Sequence, residues 1–164
     1  MTLNIVILAL VTFERLLELP LASRNTKRLL ATGAKEHSPG HYPLIVMLHA
    51  SWLAILWWLG TNRPIQLPWL LLFVLIELGR LWVLATLGSR WTTRIIVLPG
   101  APLVRRGPYR FSNHPNYLVV TAEIFVLPLV FGLWPVAVIF SLLNAAMLAV
   151  RIRAENRALA PLRR

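Results

Sequence analysis

Five long apolar runs decide what this chain can fold into. They cover about Thr2–Leu21, Pro43–Gly60, Ile65–Leu87, Tyr117–Phe131 and Trp134–Val150. A helix crosses a bilayer with roughly 17–25 apolar residues, and only the fourth run falls short of that. The fold expected is an all-α integral membrane protein with about five transmembrane helices, forming one domain over residues 1–164. Only Gly132 and Leu133 separate the last two runs, which read as a tight helical hairpin. With 57% hydrophobic and 14% charged residues, the composition excludes an ordinary soluble domain, a disordered tail and a soluble nucleic-acid binder. The first run does not read as a signal peptide. It lacks a basic leader and carries Glu14, Arg15 and Glu18.

The net charge of +11 is distributed by region. Residues 23–42 hold Arg24, Lys27, Arg28 and Lys35. Residues 88–115 hold Arg90, Arg94, Arg105, Arg106 and Arg110. The tail holds Arg151, Arg153, Arg157, Arg163 and Arg164, and Arg63 alone stands on the other side. Five spans put all three basic regions on one face, which the positive-inside rule makes cytoplasmic. The expected location is the cell inner or plasma membrane, with the N-terminus outside and the C-terminus inside. Cysteine is absent, which excludes disulfides and thiolate chemistry.

Residues 88–115 are too long and too patterned for a plain connector. Ile95–Leu98, the Pro99-Gly100 turn and Ala101–Val104 read as two extended pieces of a hairpin on the cytoplasmic helix ends.

Ionisable groups inside a span are costly and normally face protein or a cavity. Glu14 and Glu18, with Arg15, share the first run, and Glu77 and Arg80 share the third. Ion pairing within each helix is the favoured reading. Glu123 has no cation one turn away on its own helix, so it is weighed as a site residue or a helix–helix hydrogen-bonding group.

The densest polar cluster is Gly107-Pro108-Tyr109-Arg110-Phe111-Ser112-Asn113-His114-Pro115-Asn116-Tyr117. Pro115 suits a first helical turn, with Asn113 or His114 as N-cap. His114, Tyr117 and Thr121 then share one helical face. A second cluster, Arg151-Ile152-Arg153-Ala154-Glu155-Asn156-Arg157, closes the chain, and alone reads as a solvated helix end. The four histidines lack paired ligand spacing, so no metal is expected, and there is no Walker loop, Rossmann fingerprint or nucleophile elbow.

Gly107-Pro108-Tyr109, then His114-Pro115-Asn116-Tyr117, then the Arg-rich tail with Glu155 resemble the isoprenylcysteine carboxyl methyltransferase family. Glu14-Arg15-Leu16, Ser23-Arg24-Asn25, His41-Tyr42-Pro43 and Trp91-Thr92-Thr93-Arg94 are similar to a bacterial subgroup of it, so the resemblance covers nearly the whole chain. It implies an integral-membrane methyltransferase that uses S-adenosylmethionine. It also implies cofactor contacts at Ala101, Pro102, Leu103, Val104, Tyr109, His114, Pro115, Asn116, Tyr117 and Glu155. A tail arginine at the acceptor corresponds to Arg151, or to Arg153 if the register has slipped. Asn113 stands where the family usually has Arg, and the tail is less acidic. These departures point away from prenylcysteine and towards an alkylated phenol, a pyrone or another lipid.

The expected reaction is therefore methyl transfer to an oxygen, carboxylate or phenol/enol, of a lipophilic acceptor at the cytoplasmic membrane face. Arg151 and Glu123 are the catalytic candidates, Arg151 and Arg153 the acceptor-binding ones. Glu123 or His114 would serve as base for a neutral phenol. The partners expected are the acceptor and membrane lipids, without nucleic acid. Two rivals are lipid amine N-methylation and a non-catalytic transporter or interaction subunit.

Overall fold

An apolar core and a set of charged residues inside the helices together tie this bundle. The computed structural model describes residues 2–162; Arg163 and Arg164 lie outside the described residues. The helices are α1 (Thr2–Ala31), α2 (Tyr42–Gly60), α3 (Leu67–Leu87), α4 (Pro115–Val130) and α5 (Trp134–Leu159). Three stretches, Pro39–Gly60, Leu67–Arg90 and Trp134–Leu162, are long and apolar enough to cross a membrane. α4 is apolar but has 16 residues, about 24 Å at 1.5 Å per residue. α1 has the length, but Glu14, Arg15 and Glu18 interrupt its apolar run.

Two helices outrun their apolar runs. α1 runs on through Pro20 and continues ten residues past Leu21, to Ala31. Ala, Arg, Lys and Leu, all good helix formers, make up most of that extension. Buried Asn25 anchors it, donating from Nδ2 to the carbonyls of Gly88 (3.2 Å) and Trp91 (2.8 Å). α5 likewise runs nine residues past Val150, so the tail cluster is helical and packed, with Arg151 buried.

Helix direction alternates along the chain, and this sorts the residues into three levels. At one level lies the apolar core: Leu8 and Val11 early in α1, Trp52 and Leu56 late in α2, Phe73 early in α3, Leu127 late in α4 and Phe140 early in α5. Asn4 seals that end by donating to the carbonyls of Gly60 (2.7 Å) and Arg63 (2.8 Å). The α4–α5 turn lies there too. Gly132 is left-handed (φ 67°), its amide bonds Leu129 O (3.0 Å), and the Leu133 amide bonds Pro128 O (2.9 Å). That is a Schellman stop, which lets α5 start within three residues of α4.

The middle level is ionic. Arg80 of α3 donates from Nε to Glu18 of α1 (2.6 Å) and from Nη1 to both oxygens of Glu123 in α4 (3.1 Å each). A further Arg80–Glu18 bond runs through Nη2. Arg15 donates to Glu123 (2.8 Å) and Glu18 (3.4 Å). Glu14 and Glu77 stand at 3.4 Å from Arg80 and 3.9 Å from Arg15. The expected pairs within single helices thus give way mainly to a cluster that crosses three helices. Buried charges need compensation, and carboxylates and guanidiniums facing inward from neighbouring helices supply it.

The third level is polar and open. Here the connector corrects a sequence expectation. The turn at Pro99-Gly100 is present, closed by Ala101 N–H to Leu98 O (3.2 Å) with Gly100 at φ 76°. Its two arms, however, do not form a hairpin. Strand β2 (Ile96–Val97) pairs antiparallel with β1 (Lys35–Glu36), Glu36 opposite Ile96. Pro102 has no amide hydrogen to give to such a ladder, and its carbonyl is taken by Arg90 Nη1 (2.7 Å).

Candidate active site

The connector between α3 and α4 is held against the helix ends by a close approach. Gly107 has φ 57°, and a Cβ placed on it would stand 2.4 Å from Thr86 Oγ1. Only glycine fits both the backbone and the space. Gly107→Ala should therefore lose about 1–2 kcal/mol from the left-handed conformation alone, and more from the contact with buried Thr86. A melting temperature equal to that of the parent protein would refute this.

The turn Gly107–Arg110 follows, with Pro108 buried beneath it. Ser112 Oγ then accepts the His114 amide (3.1 Å) and guides the chain into α4. His114 occupies the N-cap but makes no side-chain cap, because its ring is engaged with α5. Nε2 meets Asn156 Oδ1 at 3.1 Å, and Nδ1 lies 3.6 Å from Glu155. One turn on, the Tyr117 ring stacks on His114, centroids 5.3 Å apart and planes 13° from parallel.

The Tyr117 hydroxyl is the centre of the site. It donates to Glu155 and accepts from Arg151 Nε (2.8 Å). Arg151 also donates from Nη2 to the Thr93 carbonyl (2.6 Å) and lies over the Tyr117 ring. Arg151 and Glu155, one turn apart on α5, are thus joined through a side chain of α4. Thr93 is fixed in turn by Tyr42, whose hydroxyl meets Thr93 Oγ1 at 3.1 Å. Arg94 covers the Tyr42 ring and pairs with Glu36 (2.9 Å).

These groups border a cavity of about 770 Å³, within the roughly 300–1,000 Å³ of small-molecule sites. Residues 101–104, Tyr109, His114, Asn116, Tyr117, Arg151 and Glu155 all line it. Three residues singled out in the sequence do not. Pro115 is buried under the helix start, and Arg153 is exposed on α5. Glu123 is set apart in the ionic cluster, where Arg15 and Arg80 hold its carboxylate. Sequence reasoning overlooked Arg90 and Arg94 as lining residues and Thr93 as the anchor of Arg151. The Trp91–Arg94 run marked that region without giving it a role. Burial, together with the nearby Glu155 carboxylate, pushes the Tyr109 phenol above its usual range. Tyr109 therefore remains a hydrogen-bond donor at any physiological pH.

The family model for isoprenylcysteine carboxyl methyltransferases matches residues 69–161, which takes in α4, α5, most of α3 and the connector. The chain belongs to this family. It is also similar to the uncharacterized protein YpbQ of Bacillus subtilis (strain 168), 35% identical over 166 residues, covering 93% of this chain and 94% of that one. No solved structure matches. Isoprenylcysteine carboxyl methyltransferases use S-adenosylmethionine and belong to membranes, in keeping with the three span-length helices.

Two observations test whether these residues suit that cofactor. The Asn116 Oδ1 atom is buried at the cavity with no hydrogen-bond partner among the described residues. It is an acceptor suited to an amino group such as that of adenine or methionine. Beside it, the amides of Leu103, Val104 and Arg105 make no backbone hydrogen bond among the described residues, leaving an unpaired edge along the cavity wall. Both fit a ligand rich in donors and acceptors.

Proposed function

We propose that the protein transfers a methyl group from S-adenosylmethionine to an oxygen of a lipophilic acceptor, in a cavity at the cytoplasmic membrane face. The observation that carries this reading is the Arg151–Tyr117–Glu155 chain bordering a cavity walled by residues 101–104. The cofactor supplies an electrophilic methyl on a sulfonium. The protein's part is positioning, which is worth roughly 7–11 kcal/mol in well-oriented reactions. Residues 101–104, Tyr109, His114, Asn116, Tyr117 and Glu155 hold the cofactor, with Pro115 fixing the helix start beneath it. Arg151 directs an anionic acceptor oxygen towards the methyl by charge-assisted hydrogen bonds. A carboxylate or phenolate needs no base, since it loses its charge as the new O–C bond forms. For a neutral phenol His114 is the group that takes the proton.

The charge of the cavity favours oxygen over amine acceptors. Among the described residues Arg90, Arg94, Arg105, Arg110 and Arg151 line it, against the single carboxylate of Glu155. A cationic amine would enter against that field.

Calorimetric titration of the purified protein with S-adenosylmethionine tests the reading directly. Saturable binding is expected, weakened at least tenfold in His114→Ala and in Tyr117→Phe while both variants keep their folding yield. Unchanged affinity in both would return the cluster to a structural role.

We also infer five membrane crossings, with the N-terminus outside. α1 would cross with its ionic groups turned inward, and α4 would cross paired with α5. Lys27, Arg94 and Arg153 then share the cytoplasmic side. Cysteines introduced singly at these positions should label only from the cytoplasm, and opposite labelling of positions 27 and 94 would rule the topology out.

A further inference from the structure

Behind the extended wall of the large cavity lies a second hollow of about 390 Å³. Leu87, Arg90 and residues 102–105 line both, and the second adds Thr86, Ser89 and Arg106. Its charged lining is Arg90, Arg105 and Arg106, without any acid. No ion pair is formed by these three among the described residues. Arg90 and Arg106 reach only carbonyls, those of Pro102 (2.7 Å) and Thr86 (3.5 Å). Three guanidiniums around one small hollow repel each other until an anion sits between them, and their planar forks suit phosphate oxygens.

The surroundings decide what kind of phosphate. The hollow opens at the end of α3, where Thr86 lines it and heads one i, i+4 row of the helix. Down the same i, i+4 row lie Trp82 and Leu78, exposed by 51% and 56%. A cationic recess thus sits at the top of an apolar stripe on a span-length helix. A free anion would use only the recess, whereas a phospholipid uses both parts.

We propose that this recess binds the phosphate headgroup of an anionic phospholipid, whose acyl chain lies along Trp82 and Leu78. The bound headgroup braces residues 102–105, the partition between the two cavities. This goes beyond the methyl-transfer reading and does not depend on it.

The test uses the full-length protein, delipidated in a neutral detergent and titrated with dioctanoyl phosphatidylglycerol, dioctanoyl phosphatidylcholine or inorganic phosphate. Native mass spectrometry counts bound lipid, and hydrogen exchange reads the 101–106 segment. Phosphatidylglycerol should bind saturably and slow exchange in that segment. The double variant Arg105→Gln/Arg106→Gln should weaken it at least tenfold, and Lys27→Gln/Arg28→Gln should leave it unchanged. Should the arginine variant fail to fold, Trp82→Ala should still weaken phosphatidylglycerol several-fold without altering the response to inorganic phosphate. Equal loss in the Lys27/Arg28 pair, or equal binding of phosphatidylcholine, would reduce the recess to a diffuse basic surface and overturn the proposal. Equal protection by inorganic phosphate, or no effect of Trp82→Ala, would overturn the assignment to a lipid.

Discussion

Arg80→Ala should destabilise the protein by about 3–5 kcal/mol, the usual cost of removing one partner from a buried ion pair. Arg80 is 4% exposed and holds Glu18 and Glu123 together. Without it, Glu14, Glu18, Glu77 and Glu123 have Arg15 alone among the cluster's cations. Protonation of some carboxylates would relieve part of the penalty, but the tie between α1, α3 and α4 would be gone. Unfolding in detergent, followed by circular dichroism, measures the loss. Arg80→Lys should recover part of it, because it restores charge without the fork that reaches both glutamates. A parent-like transition in Arg80→Ala would show that apolar packing alone holds the three helices.

Arg151→Ala should lower single-turnover methyl transfer tenfold to hundredfold, the equivalent of about 1.5–3 kcal/mol for a charge-assisted hydrogen bond. The family resemblance divides the labour, with Glu155 for the cofactor and Arg151 for the acceptor. The structure couples the two, because both bond the Tyr117 hydroxyl. Removing Arg151 also frees Tyr117 to shift towards Glu155, so a smaller loss of cofactor affinity should accompany the loss of turnover. Glu155→Gln should show the reverse balance. In a double-mutant cycle, Arg151→Ala and Tyr117→Phe should be non-additive, as contacting residues are. If Arg151→Ala abolishes cofactor binding and Glu155→Gln spares it, the two roles are exchanged.

What the sequence reveals here is what lies within one helix or one turn. The apolar runs at α2, α3 and α5 stand out because a lipid-facing helix is apolar on its outer surface. The run from Gly107 to Tyr117 stands out because glycine, prolines and a histidine crowd one turn, and the structure puts Tyr109, His114, Asn116 and Tyr117 on one cavity. Partners from distant segments are the hidden part. Glu123 shows no cation at helical spacing because its cations come from α1 and α3. Ile96–Val97 pairs with Lys35–Glu36, across the whole of α2 and α3, and not with the arm beyond its own turn. Arg151 is anchored by a backbone carbonyl, at Thr93, which no side-chain pattern advertises. Periodicity reports the face a residue occupies, whereas the neighbour on that face is set by how the helices cross.

The ionic cluster also imposes a timetable on synthesis. α1 leaves the ribosome carrying Glu14, Arg15 and Glu18, and its principal cationic partner, Arg80, lies in α3, 62 residues after Glu18. Glu123 arrives later still, in α4, which is too short to settle well alone and is tied to α5 by the turn at Gly132. A nascent chain ending before α4 therefore holds Arg15 and Arg80 without one of their main carboxylate partners. The contacts that tie α1, α3 and α4 together are complete only when α4 has docked. The same charges that lock the finished bundle are left partly unpaired in an unfinished one.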